Sequence, residues 1–277
     1  MGFQLSELSL IGAPRHRQML FSRIKMKALL SLPKQLKQVF FQGEQCYCPI
    51  CESHLRGYER FGHIANEWCP ICTAMRRQRL MWLFLARDTN LLDGTLKRLL
   101  HIAPGVALEP RLKQVDNLDY TTGDLFNPDV MVTMDVTDIP FPNGSFDAAI
   151  CSHVLEHVPD DRKAMREFFR VLLPGGWAVF MVPIRMDQLT DEDLSVSDPK
   201  EREKRFGQID HVRLYGQDFE DRLIEAGFEV SVVHADDVVE RSQFKRIGIK
   251  ANEVLFYCKK KKEKRIHRDG KLTWAGK

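Results

Sequence analysis

Four cysteines near the N-terminus have the spacing of a metal site. Cys48 and Cys51 form one Cys-x-x-Cys pair, Cys69 and Cys72 form a second, and both pairs carry the sequence CPIC. Each such pair makes a tight turn that points two sulfurs at one centre, so the two pairs supply four ligands for a tetrahedral zinc ion. Because all four ligands are thiolates, no coordination position stays open for substrate or water. The spacing therefore predicts a structural zinc site, with Cys46 left over.

Disulfide bonds are the alternative use of closely spaced cysteines. The N-terminus lacks the charged, apolar and small-residue succession of a secretory signal, and no apolar run approaches the length of about 18 residues that a membrane helix needs. These features indicate a cytoplasmic protein, and the reducing cytosol disfavours disulfides. Zinc is therefore the preferred interpretation.

A second chemical pattern combines a glycine turn with an acid. The apolar segment LKRLLHIAPG ends in a turn at Gly105, and the next apolar segment, NLDYTTGDL, ends near Asp124. In doubly wound folds, amides of such a turn meet the polar end of an adenosine ligand, and an acid about 20 residues later accepts hydrogen bonds from the ribose hydroxyls. Taken alone, the pattern also fits an ordinary turn glycine and a capping aspartate.

The elements that must position these residues are those of an α/β domain. From Lys97 onward, short apolar runs alternate with helical stretches, which is the pattern of β-α units. The predicted strands are, in chain order, LKRLLHI, NLDYTTGDL, VMVTMDV, SFDAAICS, GGWAVFMVP, FEVSVVHA and EVLFYCKK. We expect a Rossmann-like, doubly wound, seven-stranded sheet that binds its ligand at the carboxyl ends of the strands, together with a small N-terminal zinc-binding module.

The same patterns divide the chain into five segments. They are a basic amphipathic arm over 1–43, the four-cysteine zinc-binding module over 44–75, a connecting helix over 76–95, the α/β domain over 96–258 and a basic tail over 259–277. The arm carries no acidic residue from Leu8 to Gly43. It fits an anionic membrane surface, where it would make the protein peripheral, or an acidic partner, or else a solvated arm.

The stretch DVTDIPFPNGSFDAAICSHVLEHVPDDRKAMREFFRVLLPGGWAVFMVP resembles the core of class I S-adenosylmethionine-dependent methyltransferases. The segment DHVRLYGQDFEDRLIEAGFEV is similar to the helix and strand that follow the fifth strand of that family, so the resemblance runs from Leu96 to about Val233. It implies S-adenosylmethionine as the cofactor and methyl transfer as the reaction. Zinc knuckles ahead of such a domain resemble a two-part arrangement of bacterial methyltransferases, some of which modify ribosomal RNA.

The resemblance also implies which residues bind the cofactor. Asp124 falls at the ribose-binding acid, and Asp135 falls where a side chain meets the adenine. The chain departs from the family at His101, where an acid is usual, and at Ala103 and Ala107, where glycines are usual. The full implied set is His101, Gly105, Asp124, Asp135, Val136, Cys151 and Ser152.

Methyl transfer from a sulfonium is an in-line displacement, so the protein mainly aligns the reacting atoms and excludes water. An oxygen acceptor generally needs a base at neutral pH, whereas a nitrogen often releases its proton afterwards. Candidate catalytic groups are His153, at the end of the fourth strand beside the methyl group, and His211 with Arg213 in FGQIDHVRLYG.

Neighbouring polar residues have structural interpretations. Asp210 fits a helix cap and Tyr215 a packing residue in the segment that follows the fifth strand. Glu156 and His157 are expected to cap or brace the helix after the fourth strand. These assignments leave His153 as the preferred contact to the substrate.

The acceptor is not identified by any motif. The net charge of +3 is too small to indicate nucleic acid, but Arg76, Arg77 and Arg79 follow the second CPIC motif and favour RNA, unless they form a solvated helix face. The modest charge and the few aromatic residues near the knuckles favour a small molecule or a glycan. A zinc-stabilised binding protein without turnover is the third hypothesis, because the glycine loop is degraded. The oligomeric state is not indicated.

Overall fold

The computed structural model describes residues 31–61 and 64–262, together with the backbone of 264–266 and 272–274. Most of the arm expected over 1–43 therefore lies outside the described residues.

The strands are β1 (Cys46–Cys48), β2 (Ser53–Leu55), β3 (Glu59–Phe61), β4 (Ile64–Trp68), β5 (Lys97–Ile102), β6 (Leu118–Asp124), β7 (Val132–Thr133), β8 (Phe146–Ser152), β9 (Leu172–Met181), β10 (Ile184–Arg185), β11 (Asp191–Glu192), β12 (Arg213–Gly216), β13 (Glu229–His234), β14 (Val254–Lys259), β15 (Lys264–Ile266) and β16 (Leu272–Trp274). The helices are α1 (Lys34–Phe41), α2 (Arg76–Arg87), α3 (Leu108–Leu112), α4 (Asp161–Val171), α5 (Pro199–Phe206), α6 (Phe219–Glu225), α7 (Ala235–Val238) and α8 (Phe244–Ile247), with 3-10 turns at Leu155–His157 and Arg241–Gln243.

The chain divides into two compact units. The first contains the described residues up to Trp82 together with Glu240–Lys250, and the second contains Leu83–Val239 and the chain from Ala251 onward. Hairpins β1–β2 and β3–β4 lie in the first unit. The sequence patterns did not predict that Glu240–Lys250 belongs with the cysteine module.

Arg79 cross-links the first unit from inside. Its side chain is fully buried, and its guanidinium lies 3.9 Å from the centroid of the Tyr58 ring. Its nitrogens donate to the carbonyl oxygens of Ala74, Ile247 and Gly248 at 2.6, 2.8 and 2.7 Å. Hydrogen bonds from a charged donor contribute about 1.5–3 kcal/mol each. The expectation that Arg79 forms a solvated helix face or meets phosphate is therefore wrong.

Helix α2 ends at Arg87, earlier than the connecting helix expected to reach residue 95. The Thr89 hydroxyl donates to the Leu85 carbonyl at 2.7 Å and accepts from the Leu91 amide at 3.2 Å. A threonine that bonds to nearby backbone in this way competes with the helix. The next turn then contains Gly94 with a positive φ of 82°, a conformation that no helix residue adopts.

The second unit is built on a seven-stranded sheet with the order β13-β14-β9-β8-β5-β6-β7. Strands β5 to β9 run parallel to one another, and β14 is antiparallel to both β9 and β13. The chain moves outward from β5 through β6 and β7, and then returns to the other side of β5 with β8 and β9. Ligands of such sheets bind at this switch point, outside the carboxyl ends of the strands. The sheet confirms the predicted α/β fold class.

Helix α4 covers the sheet next to the switch point. Its N-cap residue Asp160 accepts a hydrogen bond from the Lys163 amide at 2.8 Å, which satisfies a free donor of the first turn. Its buried face includes Met165 and Phe168, and the Phe168 ring lies edge-on to Phe180 of β9, with centroids 5.1 Å apart. The helix thus holds the loop after β8 against the core.

Two strands differ in length from the prediction. Strand β7 contains only Val132 and Thr133, because the chain turns at Asp135, whose carboxylate accepts from the Thr137 amide at 2.8 Å. Strand β9 begins at Leu172, before the two glycines at which it was expected to start, because it follows α4 directly. Among the described helices, none is long and apolar enough to cross a bilayer.

Candidate functional site

A cavity of about 730 Å³ opens at the carboxyl ends of β5, β6 and β8. That volume lies within the range of about 300–1,000 Å³ that is usual for small-molecule sites. The cavity is lined by Ile102, Ala103, Asp124, Leu125, Phe126, Met134, Asp135, Val136, Thr137, His153, Val154, His157, Val158, Pro159, Asp160, Lys163 and Asp210. Its place at the switch point of the sheet is the place that the strand pattern predicted.

Two aspartates on the cavity wall are fixed by their own loops. Asp124 Oδ1 accepts from the amides of Phe126 and Asn127 at 2.7 and 2.8 Å, and Asp135 Oδ1 accepts from Thr137 at 2.8 Å. Within the described ranges, neither Oδ2 has a hydrogen-bond partner, so each carboxylate keeps an acceptor for a ligand hydroxyl or amine. Sequence order alone does not show this shared anchoring, because it depends on the turn after each strand.

In the loop after β5, Ala103 stands where the family usually has a glycine, and its backbone conformation shows the effect. Ala103 has a φ of 48°, a left-handed conformation that favours glycine, and its amide donates to the Gly123 carbonyl at 2.8 Å. The loop thus keeps the conformation that a glycine would adopt, at a cost of about 1–2 kcal/mol for the side chain.

His101 lies inside the sheet behind this loop. Its side chain is buried, and its Nδ1 lies 2.7 Å from the Tyr120 hydroxyl. Burial lowers the pKa of His101 to about 3, so the imidazole is neutral at physiological pH. Of the residues expected to bind the cofactor, Asp124, Asp135 and Val136 line the cavity, while His101, Gly105, Cys151 and Ser152 do not.

The tertiary structure brings two separate candidate regions together. His153, after β8, and His211, before β12, fall in one cluster with Glu156, His157 and Asp210. His153 Nδ1 lies 3.2 Å from Glu156 Oε1, His157 Nδ1 lies 3.4 Å from Asp210 Oδ2, and the rings of His157 and His211 are edge-on with centroids 4.7 Å apart. His153, the candidate for contact with the substrate, has a φ of 58°, so its backbone is strained.

The charges of this cluster depend on burial and on each other. Burial lowers the pKa of His211, which favours the neutral imidazole. Burial acts to raise the pKa of Glu156, but His153 and His157 together hold it below the ordinary carboxyl value. Glu156 is therefore an ionised carboxylate inside the protein.

Arg213 lies away from the cavity wall and holds the turn that carries the cluster. It is fully buried and donates to the carbonyls of Leu155 and Pro159 at 2.7 and 2.8 Å, and also to that of Val158. Its Nη2, which bonds to Pro159, also pairs with Glu192 Oε1 at 2.6 Å. The geometry fits a positioning residue better than a group that touches substrate.

A buried charged network was missed by the sequence analysis. The Tyr215 hydroxyl and Arg222 both donate to Asp161 Oδ2 at 2.8 Å, and Arg222 also reaches Glu192 at 2.9 Å. The packing interpretation of Tyr215 agrees with its full burial. The sequence offered one signal, a second aspartate, Asp161, directly after the helix-capping Asp160. Its partner Arg222 lies about 60 positions away, so the pairing itself was not visible.

The four cysteines converge in the first unit as the spacing predicted. Cys48 and Cys72 have their sulfurs 3.7 Å apart, as do Cys51 and Cys69, and all four sulfurs lie within 4.8 Å of one another. Zinc–sulfur bonds of about 2.3 Å in a tetrahedron separate the sulfurs by about 3.8 Å, so the donor set fits a zinc ion. The Ile71 amide points at Cys69 Sγ at 3.4 Å, and none of the seven cysteines, all of which the structure describes, forms a disulfide.

Comparison with known proteins agrees with this geometry. Residues 96–180 match a family model described as a methyltransferase domain. The demethylmenaquinone methyltransferase of Listeria monocytogenes is 28% identical over 113 residues, which is 36% of this chain and 47% of that protein. The ajmaline N-methyltransferase of Rauvolfia serpentina is 32% identical over 68 residues, covering 24% of this chain and 23% of that protein.

The chain thus spans less than half the length of these two relatives. A solved S-adenosylmethionine-dependent methyltransferase from Mesorhizobium loti is similar over 65% of this chain and 97% of its own, with 18% identity and a TM-score of 0.44. The matched residues 96–180 include the parallel strands β5, β6 and β8, at whose carboxyl ends the cavity opens, so nearly all of the cavity wall lies within a segment that matches a methyltransferase domain.

Proposed function

We propose that this protein transfers a methyl group from S-adenosylmethionine to a small-molecule or glycan acceptor bound in the same cavity. The supporting observation is that Asp124, Asp135 and His153 all line one cavity. The two anchored aspartates offer acceptors to the ribose and adenine ends of the cofactor. The acceptor would then bind next to His153 and the histidine cluster.

S-adenosylmethionine would supply an activated methyl group on a sulfonium when bound. The protein's own part is to align the acceptor in line with the carbon–sulfur bond and to keep water out. Apolar residues of the wall, such as Met134, Val136 and Val158, suit that exclusion. His153 is positioned to take a proton from an acceptor hydroxyl, which would be the role of a general base.

The charge of the cavity supports a small acceptor over RNA. Asp124, Asp135, Asp160 and Asp210 line it, against one lysine, Lys163. A site for polyanionic RNA requires cations that displace counterions from the phosphates. The arginines that motivated the RNA hypothesis are also engaged elsewhere, since Arg79 is buried and Arg76 pairs with Glu67 at 2.8 Å.

Label transfer tests the proposal directly. Purified protein is incubated with methyl-labelled S-adenosylmethionine and either a desalted RNA pool or a metabolite and glycan extract from cells. We expect label in the extract and none in the RNA. Transfer to RNA that falls steeply with salt would instead support the RNA hypothesis, and cofactor binding without transfer to either pool would support the binding protein without turnover.

We also propose that Cys48, Cys51, Cys69 and Cys72 bind one structural Zn²⁺. Support comes from the sulfur separations, which match a closed four-thiolate tetrahedron. Zinc measured by elemental mass spectrometry should fall by one equivalent per chain in Cys72→Ser. Cys258→Ser, a buried cysteine outside the cluster, is the matched control and should keep its zinc.

Contact with an anionic membrane through the N-terminal arm stays a prediction. Residues 1–30 lie outside the described part of the chain, and only α1 represents the arm there. Helix α1 exposes Val39 and Phe40, with 76% and 59% of their surface accessible. Sedimentation with phosphatidylserine vesicles, compared with neutral vesicles, tests the contact.

A further inference from the structure

Glu156 is a buried carboxylate without a hydrogen-bond donor among the described residues. It lies in the 3-10 turn Leu155–His157 with no accessible surface, and neither of its carboxylate oxygens has a hydrogen-bond donor among the described residues. His153 Nδ1 is close, at 3.2 Å, but it does not point along the bond direction that a hydrogen bond requires. A carboxylate that is buried without a hydrogen-bond donor is costly, and proteins compensate such a group by pairing it or by coordinating a metal.

His211 presents a bare lone pair to the same place. Only 1% of its surface is accessible, and its Nδ1 lies 3.0 Å from the Phe206 carbonyl oxygen. A carbonyl oxygen can only accept, so Nδ1 carries the proton and Nε2 has the free lone pair. That Nε2 is buried and has no partner among the described residues. Histidines that bind metals are held in this way, with one ring nitrogen donating to a backbone carbonyl.

His157 completes a set of three ligands and connects it to the cavity. One ligand atom each of Glu156, His157 and His211 lies within 4.8 Å of the others. One ion with bonds of about 2.1 Å reaches all three after small side-chain shifts. His157 also lines the cavity, and Asp210 beside it, at 3.4 Å, is placed to orient its ring.

We propose that Glu156, His157 and His211 bind one divalent first-row transition cation. Two imidazoles and a carboxylate suit zinc, iron and manganese ions, and such sites keep open positions for other ligands. This site differs from the four-thiolate site, which lies in the first unit and whose coordination is closed. The cation accounts at once for the buried carboxylate that has no hydrogen-bond donor and for the free lone pair of His211 Nε2.

His157 lines the cavity, so an ion held by the three ligands would lie beside it, and this defines an acceptor class if the proposed methyl transfer holds. A hydroxyl or phenol oxygen that coordinates the ion loses its proton more readily. The oxygen then forms a bond to the methyl carbon, the carbon–sulfur bond breaks, and sulfur keeps the electron pair. The released proton goes to water or to His153. An oxygen nucleophile is therefore the expected acceptor atom.

Manganese binding measured by electron paramagnetic resonance tests the site without any need for activity. Thiolates select zinc over manganese, so full-length protein that carries a single equivalent of zinc per chain in the four-thiolate site leaves the second site free for Mn²⁺. We expect one Mn²⁺ per chain, with affinity at least about tenfold weaker in Glu156→Gln and in His211→Asn. His157→Asn, at the less buried cavity wall, tests the site if the buried variants fail to fold.

His234→Asn is the control, because His234 is exposed and outside the cluster, and it should bind Mn²⁺ as the wild type does. Thermal unfolding adds a second measurement, since Mn²⁺ should raise the melting temperature of the wild type but not of Glu156→Gln. Absence of Mn²⁺ binding by the wild type, or equal binding by all variants, would overturn the proposal. Cofactor affinity measured on the same samples separates failure of this site from failure of the proposed methyl transfer.

Discussion

The anchoring of Asp124 allows the affinity of the cofactor to be predicted for two substitutions. One carboxylate oxygen accepts two backbone amides at 2.7 and 2.8 Å, which leaves the other oxygen for the ligand. Hydrogen bonds to a charged acceptor contribute about 1.5–3 kcal/mol each, and about 1.4 kcal/mol corresponds to a tenfold change in affinity.

Asp124→Asn keeps the shape of the side chain and an oxygen for the loop amides, but it removes the charge. We therefore expect a loss of about 1.5 kcal/mol, or roughly tenfold, in cofactor affinity. Asp124→Ala removes both the ligand contact and the anchor of the loop. Its loss should reach about 3 kcal/mol, which is more than a hundredfold.

Calorimetry with S-adenosylhomocysteine, the demethylated product, measures these affinities without turnover. Asp129→Asn, an exposed aspartate of the same loop, is the matched control and should bind as the wild type does. Thermal unfolding of each variant shows that the protein remains folded. Wild-type affinity in Asp124→Ala, or an equal loss in Asp129→Asn, would refute the assignment of this carboxylate to the ligand.

Three further predictions concern the loop, the buried histidine and the metal. Ala103→Gly should leave the free energy of unfolding unchanged or raise it by up to about 1 kcal/mol, because it relieves a φ of 48°. Ala107→Gly, at a φ of −95°, should lower it by about 0.5–1 kcal/mol, and urea unfolding that ranks the two variants the other way would contradict this reasoning. The pKa of His101 falls to about 3 on folding, so between that value and about 6.5 the unfolded chain binds one more proton than the folded chain. The free energy of unfolding should therefore decline as pH falls below about 6.5, by at most about 1.4 kcal/mol per pH unit. Urea midpoints at pH 7 and pH 5 should show a smaller difference in His101→Gln than in the wild type, and an equal difference would show that other groups cause the decline. Removal of zinc by a chelator should unfold the first unit, because thiolate coordination stabilises such small modules by about 10 kcal/mol or more; amide hydrogen exchange that stays slow around Trp68 after zinc loss would argue against a structural ion.

The family match over 96–180 leaves the histidine cluster only partly covered. Glu156 and His157 lie within that segment, whereas His211 lies beyond it. The completion of the cluster is therefore a feature of this chain's later segment, and it is there that differences in acceptor chemistry should be sought. Arg213 supports the arrangement by fixing the carbonyls of the turn that carries Glu156.

The local sequence was sufficient for the strands, the cysteine site and the position of the cavity. Apolar runs determine strands because buried parallel strands need apolar side chains on both faces, and β5, β6 and β8 lie where those runs are. Cysteine spacing determines a thiolate site because a Cys-x-x-Cys turn is short enough to aim its sulfurs by itself. Asp124 was found from its place at the end of the second strand, whereas Asp135 was indicated by the family resemblance.

Only the tertiary structure decided which polar groups are buried and which meet. Arginine usually lies at the surface, but Arg79 and Arg213 are fully buried. Backbone carbonyls from distant segments accept their hydrogen bonds. His211 lies close to Glu156 although more than 50 residues separate them in the chain. The long segment between β9 and β12 brings the two together. Burial and long-range contact depend on how separate elements pack, and no local pattern of residue types carries that information.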